Sequence, residues 1–279
     1  MEYVTKKVLK NIYKKRDSWS HKGQYGKLVV IGGSEMHTGS PSFVGLAAYR
    51  AGCDLVYIAS PERAANIAAN LSPVLITKLL KGDKLEEKHI RKIISLIKQV
   101  RATAVAIGPG LWREKKTIST IQKLIRKIEL PMIIDADAIR AVSRKKNVLK
   151  GKKCVLTPHA DEFREFSGIK VKDLEHRIKV VTAEAKKTKS VILLKGYIDV
   201  ISDGKKTILN TTGTSTMTKG GCGDTLTGIC GAYLARGIDS FTAACAAAYV
   251  NGKAGEITSK KYGESLLPTD LIENIYKAI

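Results

Sequence analysis

Short apolar runs alternate with amphipathic stretches along most of the chain. Leu28-Val29-Val30-Ile31, Leu55-Val56-Tyr57-Ile58, Ala104-Val105-Ala106-Ile107, Met132-Ile133-Ile134, Cys154-Val155-Leu156 and Val191-Ile192-Leu193-Leu194 are uninterrupted. A strand wetted on one face alternates polar and apolar residues, so an unbroken run predicts a strand covered on both faces. Val74-Leu75-Ile76 reads as a further short strand. Between the runs, helical spacing predicts helices over 41–50, 62–70, 86–99 and 114–128. The first opens with Pro41, which suits a first helical turn. The third carries Ile90, Ile93, Ile94 and Ile97 on one face. Residues 198–201 and 207–209, joined through Asp203-Gly204, read as a hairpin. A short helix is predicted over 2–15, and 220–279 reads as mostly helical.

Repeated strand–helix alternation predicts an α/β fold, a mostly parallel sheet with helices on both faces and right-handed crossovers. No internal repeat, linker or low-complexity tract interrupts it, so one domain over 1–279 is expected. Ligands of such sheets sit beyond the carboxyl ends of the strands. Gly32-Gly33, Gly108-Pro109-Gly110, Asp135, His159 and Lys195 all follow apolar runs and are therefore candidates.

Composition narrows the classes. At 44% apolar and 27% charged, the 279 residues resemble an ordinary globular chain. No run of about 18 apolar residues exists, which argues against a membrane-spanning helix. Met1-Glu2-Tyr3-Val4-Thr5-Lys6-Lys7 offers no apolar export segment. Five cysteines (Cys53, Cys154, Cys222, Cys230, Cys245) form no CxxC pair, which fits buried thiols in a reducing cytoplasm. The net charge of +22 raises the question of nucleic acid. However, the basic residues fall in short dispersed clusters such as Lys14-Lys15-Arg16 and Lys186-Lys187, and the few aromatics do not interleave with them. A basic surface that draws anionic metabolites is the better reading.

The strongest chemical signal is Thr218-Lys219-Gly220-Gly221-Cys222-Gly223-Asp224-Thr225-Leu226. Glycines before a helix let backbone N–H groups and the positive end of the helix dipole meet an anion. A phosphate or a transferring phosphoryl group suits that place. Asp224, in the first turn, is expected to be held ionised by the same field and to take a proton from an attacking hydroxyl. No GxxxxGK[ST], GxGxxG after a strand, HExxH or CxxC occurs, so P-loop, dinucleotide-dehydrogenase and zinc readings lack support. Lys195, in Lys195-Gly196-Tyr197-Ile198-Asp199, is either a phosphate contact or a lysine closing a strand. His159 is a substrate contact or a turn histidine. Asp135 and Asp137 either orient Mg²⁺-bound water or cap a helix. His21, His37, His89 and His176 read as surface residues, and Trp19 and Trp112 as packing residues.

Several blocks, taken in order, resemble the NAD(P)H-hydrate dehydratases. They are Lys22-Gly23-Gln24-Tyr25-Gly26, Thr38-Gly39-Ser40-Pro41, Arg50-Ala51-Gly52, Gly108-Pro109-Gly110-Leu111, Asp135-Ala136-Asp137-Ala138, Leu156-Thr157-Pro158-His159, Leu194-Lys195-Gly196 and the 220–228 loop. The resemblance implies a ribokinase-like three-layer α/β/α sandwich. It also implies a repair lyase acting on the S-epimer of hydrated NADH or NADPH at the expense of ADP or ATP, with Mg²⁺. Asp224 would be the catalytic base. Ser40, Gly110, His159 and Asp224 match hydrate-contacting positions, and Lys195, Gly196, Tyr197, Ile198, Asp199 and Gly223 match nucleotide-contacting positions. Gly220, Gly221, Cys222 and Gly223 would cradle the phosphoryl oxygens; the metal ligands are left unassigned.

The resemblance further implies a cytoplasmic homo-oligomer, in the form of a tetramer. The matched blocks begin near residue 20, so no fused epimerase domain is expected and the epimerase would be a separate protein. Departures from the family pattern are Cys222 in place of Thr or Ser, Ala160-Asp161 in place of Pro-Gly, the 211–217 segment, and Asn251 in place of a helix histidine. The runner-up reading is a kinase of the same fold acting on a vitamin precursor or sugar. The Lys22–Gly26, Thr38–Pro41 and Thr157–His159 blocks weigh against it. A nucleic-acid-binding protein remains the alternative of another class.

Overall fold

The computed structural model describes residues 1–279. Its strands are β1 (Lys27–Ile31), β2 (Leu55–Pro61), β3 (Ile76–Leu80), β4 (Ala104–Ile107), β5 (Met132–Ile134), β6 (Cys154–Leu156), β7 (Val191–Leu194), β8 (Asp199–Ser202) and β9 (Thr207–Asn210). They form one sheet in the order β3-β2-β1-β4-β5-β6-β7-β8-β9. β1 to β7 run parallel, and β8 and β9 add the antiparallel hairpin at one edge. The helices are α1 (Ser40–Arg50), α2 (Glu62–Leu71), α3 (Ile90–Gln99), α4 (Lys115–Lys127), α5 (Asp137–Ser143), α6 (Ala160–Ser167), α7 (Leu174–Thr188), α8 (Cys222–Ala235), α9 (Ser240–Tyr262) and α10 (Pro268–Ala278).

The apolar runs are strands buried on both faces, as their pattern predicts. Leu28, Val30, Ala104, Ala106, Ile133, Val155 and Leu193 pack into one core with α1, α8, α9 and α10. Their neighbours Val29, Ile31, Val105, Ile107, Ile134, Leu156 and Ile192 pack into a second core with α3 to α7. Period-two alternation therefore feeds both layers from the same runs. Full burial of each such aliphatic side chain contributes about 1.5–3 kcal/mol. The architecture is the expected three-layer α/β/α sandwich.

Four sequence expectations shift. The third strand is Ile76–Leu80 rather than 74–76. It is an edge strand, Val74 and Ile76 are exposed, and Lys78 interrupts the apolar run that would have marked it. The 86–99 helix splits into a 3₁₀ turn, Glu87–His89, followed by α3. His89 is buried there: its Nδ1 accepts the Glu86 N–H (3.1 Å) and its Nε2 lies 3.1 Å from the Lys81 carbonyl, so it is no surface histidine. The 2–15 helix reduces to a 3₁₀ turn, Lys6–Leu9. Tyr3 instead bridges to Leu209 of β9, and Val4, Leu9 and Ile12 bury against the core. Finally, α5, α6 and α7 occupy a stretch read only for its strands.

One contact on the α1–α8 side positions the site. A Cβ on Gly228 would lie 2.2 Å from the Val44 carbonyl oxygen. Glycine at that place lets α8 lie against the α1 backbone. The N-termini of the two helices, carrying Ser40 and Asp224, therefore open side by side above the strand ends.

Candidate active site

Asp135, directly after β5, is the buried hub of the site. Its Oδ1 accepts from Thr157 Oγ1 (2.8 Å) and Lys195 Nζ (3.2 Å), and its Oδ2 from Thr227 Oγ1 (2.7 Å). Four separate elements thus converge on one carboxylate. It caps no helix, since α5 begins after Ala136 without a side-chain cap. Lys195 follows β7 and is held again through its own N–H, which donates to the Pro158 carbonyl (2.9 Å). Burial alone would lower its pKa, but the Asp135 and Glu162 carboxylates outweigh that and raise it. Lys195 is therefore a fixed cation.

The 218–226 loop turns into α8 as the sequence suggests. Gly221 has φ +101°, and a Cβ there would press on Pro268 (2.7 Å) and Phe43 (2.9 Å). Only glycine meets both demands. Cys222 buries its side chain, and burial pushes its thiol up to about 11.

Asp224 sits in the first turn of α8, partly exposed. Here the electrostatics correct the sequence expectation. Its pKa is pushed up to about 7, first by burial and then by the Asp135 charge; the Ser40 hydroxyl and Lys195 pull it back only in part. Desolvation outweighs the helix field. The carboxylate is poised near neutrality instead of being firmly ionised, which suits a general base.

Two cavities meet at this residue. The first, about 860 Å³, is lined among others by His37, Ser40, Gly110, Trp112, Arg113, Asp137, Arg140 and Glu162. The second, about 780 Å³, is lined among others by Lys195, Gly196, Tyr197, Asp199, Thr212, Gly213, Ser215, Cys222, Gly223 and Asn251. Ala136, His159, Gly220, Gly221 and Asp224 line both. The residues matched to a hydrate (Ser40, Gly110, His159, Asp224) thus share one chamber. Most of those matched to a nucleotide share the other.

Ile198 is the exception: its side chain packs on the core, and it does not line the second cavity. Tyr197 is 98% exposed at the rim. Asp199 accepts from the Gly196 N–H (2.9 Å) and Asn210 Nδ2 (2.9 Å), and burial pushes its pKa up to about 6. His159 is both a turn residue and a cavity residue. Its Nδ1 accepts the Asp161 N–H (3.1 Å) at the start of α6, while Glu162 Oε2 accepts the His159 N–H (3.0 Å).

His37 and Trp112 were read as surface and packing residues, yet both line the first cavity, and Trp19 is 93% exposed rather than packed. The position of Trp112 just beyond Gly108-Pro109-Gly110 was an available signal; His37 carried none. Asp137 accepts the Trp112 N–H (2.9 Å) and pairs with Arg113. No three His, Cys, Asp or Glu side chains converge as a metal cage. An ion here would therefore rest chiefly on a ligand's phosphates.

The family model described as NAD(P)H-hydrate dehydratase matches residues 28–277. The chain belongs to this family. It is 43% identical over 263 residues to the bifunctional NAD(P)H-hydrate repair enzyme Nnr of Pyrobaculum aerophilum, covering 93% of this chain and 52% of that one. It is 38% identical over 261 residues to the ADP-dependent (S)-NAD(P)H-hydrate dehydratase of Cenarchaeum symbiosum, covering 93% and 90%. Among solved structures, the ADP/ATP-dependent NAD(P)H-hydrate dehydratase of Bacillus subtilis co-crystallized with ATP/Mg²⁺ matches at 26% identity. Its TM-score is 0.83 over 99% of this chain and 97% of that one. The chain spans about half the length of the bifunctional curated relatives it matches.

In this dehydratase-family chain the departures from the family pattern have a visible structural setting. Asn251, on α9, accepts from Thr225 Oγ1 (2.7 Å) and directs its Nδ2 at the Cys222 carbonyl (3.4 Å). It ties α9 to the first turn of α8. Ala160 and Asp161 form the first turn of α6, whose cap is His159.

Proposed function

We propose that this protein dehydrates the S-epimer of NADH or NADPH hydrate, consuming ADP or ATP. The observation that carries the reading is the meeting of two nucleotide-sized cavities at Asp224 and the Gly220–Gly221 turn. One ligand's hydroxyl and another's terminal phosphate can reach the same carboxylate there.

The chemistry follows from the leaving group. Hydroxide leaves poorly near neutral pH, and phosphate leaves far better. Asp224 accepts the proton of the ring hydroxyl in the first cavity. The freed oxygen attacks the terminal phosphorus of the nucleotide in the second, and the bond to the remaining nucleoside phosphate breaks. Backbone N–H groups of the 221–223 turn stabilise charge on the equatorial oxygens at the positive end of α8. Lys195, fixed by Asp135, neutralises the leaving nucleotide. Mg²⁺ carried on the phosphates supplies further charge neutralisation. The ring nitrogen's lone pair then expels phosphate, the adjacent carbon loses a proton, and the reduced ring is restored. One nucleoside diphosphate thus yields a monophosphate and phosphate, and one triphosphate yields a diphosphate and phosphate.

The same reading makes residues 1–279 one catalytic domain working in the cytoplasm as a homo-oligomer, a tetramer by family resemblance. No helix is long and apolar enough to cross a membrane. The test mixes purified protein, NADH hydrate, Mg²⁺ and either nucleotide, and follows the absorbance of the reduced ring. Recovery of absorbance with release of one phosphate per ring is expected. No recovery with ADP or ATP overturns the reading, and accumulation of a stable phosphorylated product would favour a kinase.

A further inference from the structure

We propose that Trp112 and His37 form an aromatic platform for the base remote from the reacting ring, so that the first cavity recognises a whole dinucleotide. This rests on the reading that the first cavity takes the hydrate.

Three observations carry it. The first is geometry: the two rings lie 5.2 Å apart, tilted by 40°, and both line the cavity. Trp112 is 36% exposed and Met36, which lines the same cavity next to His37 in the chain, 73%, so an apolar lip faces open space. Such a lip without a partner on its open side is what a flat ring would cover.

The second is backbone conformation. Trp112 has φ +73°, where a bulky side chain is rarely found. Its N–H is pinned by Asp137 Oδ2 (2.9 Å), whose Oδ1 faces Arg113 Nε (3.4 Å). A tryptophan needed only for packing could sit on ordinary backbone. Strain held in place by a dedicated carboxylate at a cavity wall is a mark of a functional position.

The third is placement. Ser40 neighbours Asp224, a Cβ on Gly110 would lie 3.2 Å from the Ser40 Cβ and 2.7 Å from the His37 Cβ, and His37 touches Trp112. The platform is therefore several side chains from the reacting end, and neither ring reaches the second cavity. A ligand gripped at Asp224 and at Trp112 must extend well beyond one nicotinamide ring. Stacking accepts any flat base, because every base offers a π-face.

The chain has two tryptophans. Trp19→Phe therefore leaves Trp112 as the sole reporter. In that variant, ADP-ribose, which carries the second base and no reduced ring to absorb the emission, should quench the tryptophan, and nicotinamide mononucleotide, which lacks the second base, should not. With NADH hydrate as substrate, Trp112→Ala should raise the hydrate KM about tenfold. Its kcat and nucleotide KM should stay within about twofold. Trp112→Phe should restore most of the affinity, and Trp112→Gly, which suits φ +73°, should match the alanine variant if folding is not the cause. Unchanged emission with ADP-ribose, or an unchanged hydrate KM in both the alanine and glycine variants, overturns the platform. If the parent never turns over hydrate yet ADP-ribose quenches Trp112, the dehydratase reading fails and the platform stands.

Discussion

The two chambers that share Asp224 are made of different material. The first sets the large side chains of His37, Trp112, Arg113, Asp137, Arg140 and Glu162 around Gly39, Gly110 and the shared Gly220 and Gly221. The second adds Gly196, Gly213, Gly223 and Gly252 to the shared Gly220 and Gly221, together with the hydroxyls of Thr212, Thr214, Ser215 and Thr218, and has Lys195 and Lys219 as its cations. Phosphate is recognised well by exposed N–H groups and by glycines that let it come close. A ring to be distinguished from its relatives needs side chains. The contrast therefore assigns catalysis to the shared wall, ring affinity to one side and nucleotide affinity to the other.

The severest test removes the shared group. Asp224→Asn should lower kcat about 10³-fold, the scale of a lost general base, while ADP binding measured by calorimetry stays near the parent value. Substantial remaining turnover would take the base role from Asp224. The same variant has a stability signature. In the fold Asp224 has a pKa of about 7, well above the ordinary carboxyl range near 4 of an unfolded chain. The folded state therefore binds this proton more tightly than the unfolded one. That contribution is whole below the ordinary range and disappears as pH rises through about 7. Asp224→Asn should accordingly raise the Tm above pH 7 and leave it near the parent value at pH 4. A Tm gain confined to acid would contradict the burial that raises this carboxyl.

A smaller effect should separate the chambers. Lys195→Met keeps the volume and removes the charge next to Gly223. The nucleotide KM should rise about 10- to 100-fold, as expected for a lost charge-assisted contact. The hydrate KM should move little. The variant also leaves the buried Asp135 carboxylate with only Thr157 and Thr227, an uncompensated charge costing several kcal/mol. Adding Asp135→Asn should restore the Tm without restoring nucleotide affinity. If the double variant recovered both, Lys195 would be a structural ion-pair partner and nothing more.

Much of the frame was legible because strands covered on both faces leave unbroken apolar runs. β1, β4, β5, β6 and β7 carry that signature, and the residues directly after all but β1 line the site; Gly32 and Gly33, candidates by the same rule, line neither cavity. β3 lacked it because it lies at the sheet edge with Lys78 in its middle. The glycine loop was legible for a local reason: Gly221 must adopt positive φ wherever such a turn meets α8. The charge state of Asp224 was not. It depends on Asp135, Ser40 and Lys195, which are distant in sequence and converge only after β5, α1 and β7 are in place. His37 was hidden likewise, since its partner Trp112 arrives from the loop after β4. Local backbone demands can be read along a chain; fields made by folding cannot.

The finest distinction lies at Ser40, on the first-cavity side of the shared carboxylate. Its hydroxyl draws the Asp224 pKa down, against burial and the Asp135 charge. Ser40→Ala removes that pull and should carry the pKa further upward. A net hydrogen bond of about 0.5–1.5 kcal/mol corresponds to a shift of roughly half a unit to one unit. The acidic limb of kcat/KM for hydrate, near pH 7 in the parent, should move to higher pH by that amount. At pH 6 the variant should lose several-fold in kcat/KM, and at pH 9 it should match the parent within about twofold. The profile distinguishes two roles for one hydroxyl. A serine that only contacts the ring would lower kcat/KM equally at every pH and leave the midpoint in place. A midpoint that moves while the plateau holds would mean that Ser40 acts on the reaction through the proton affinity of Asp224.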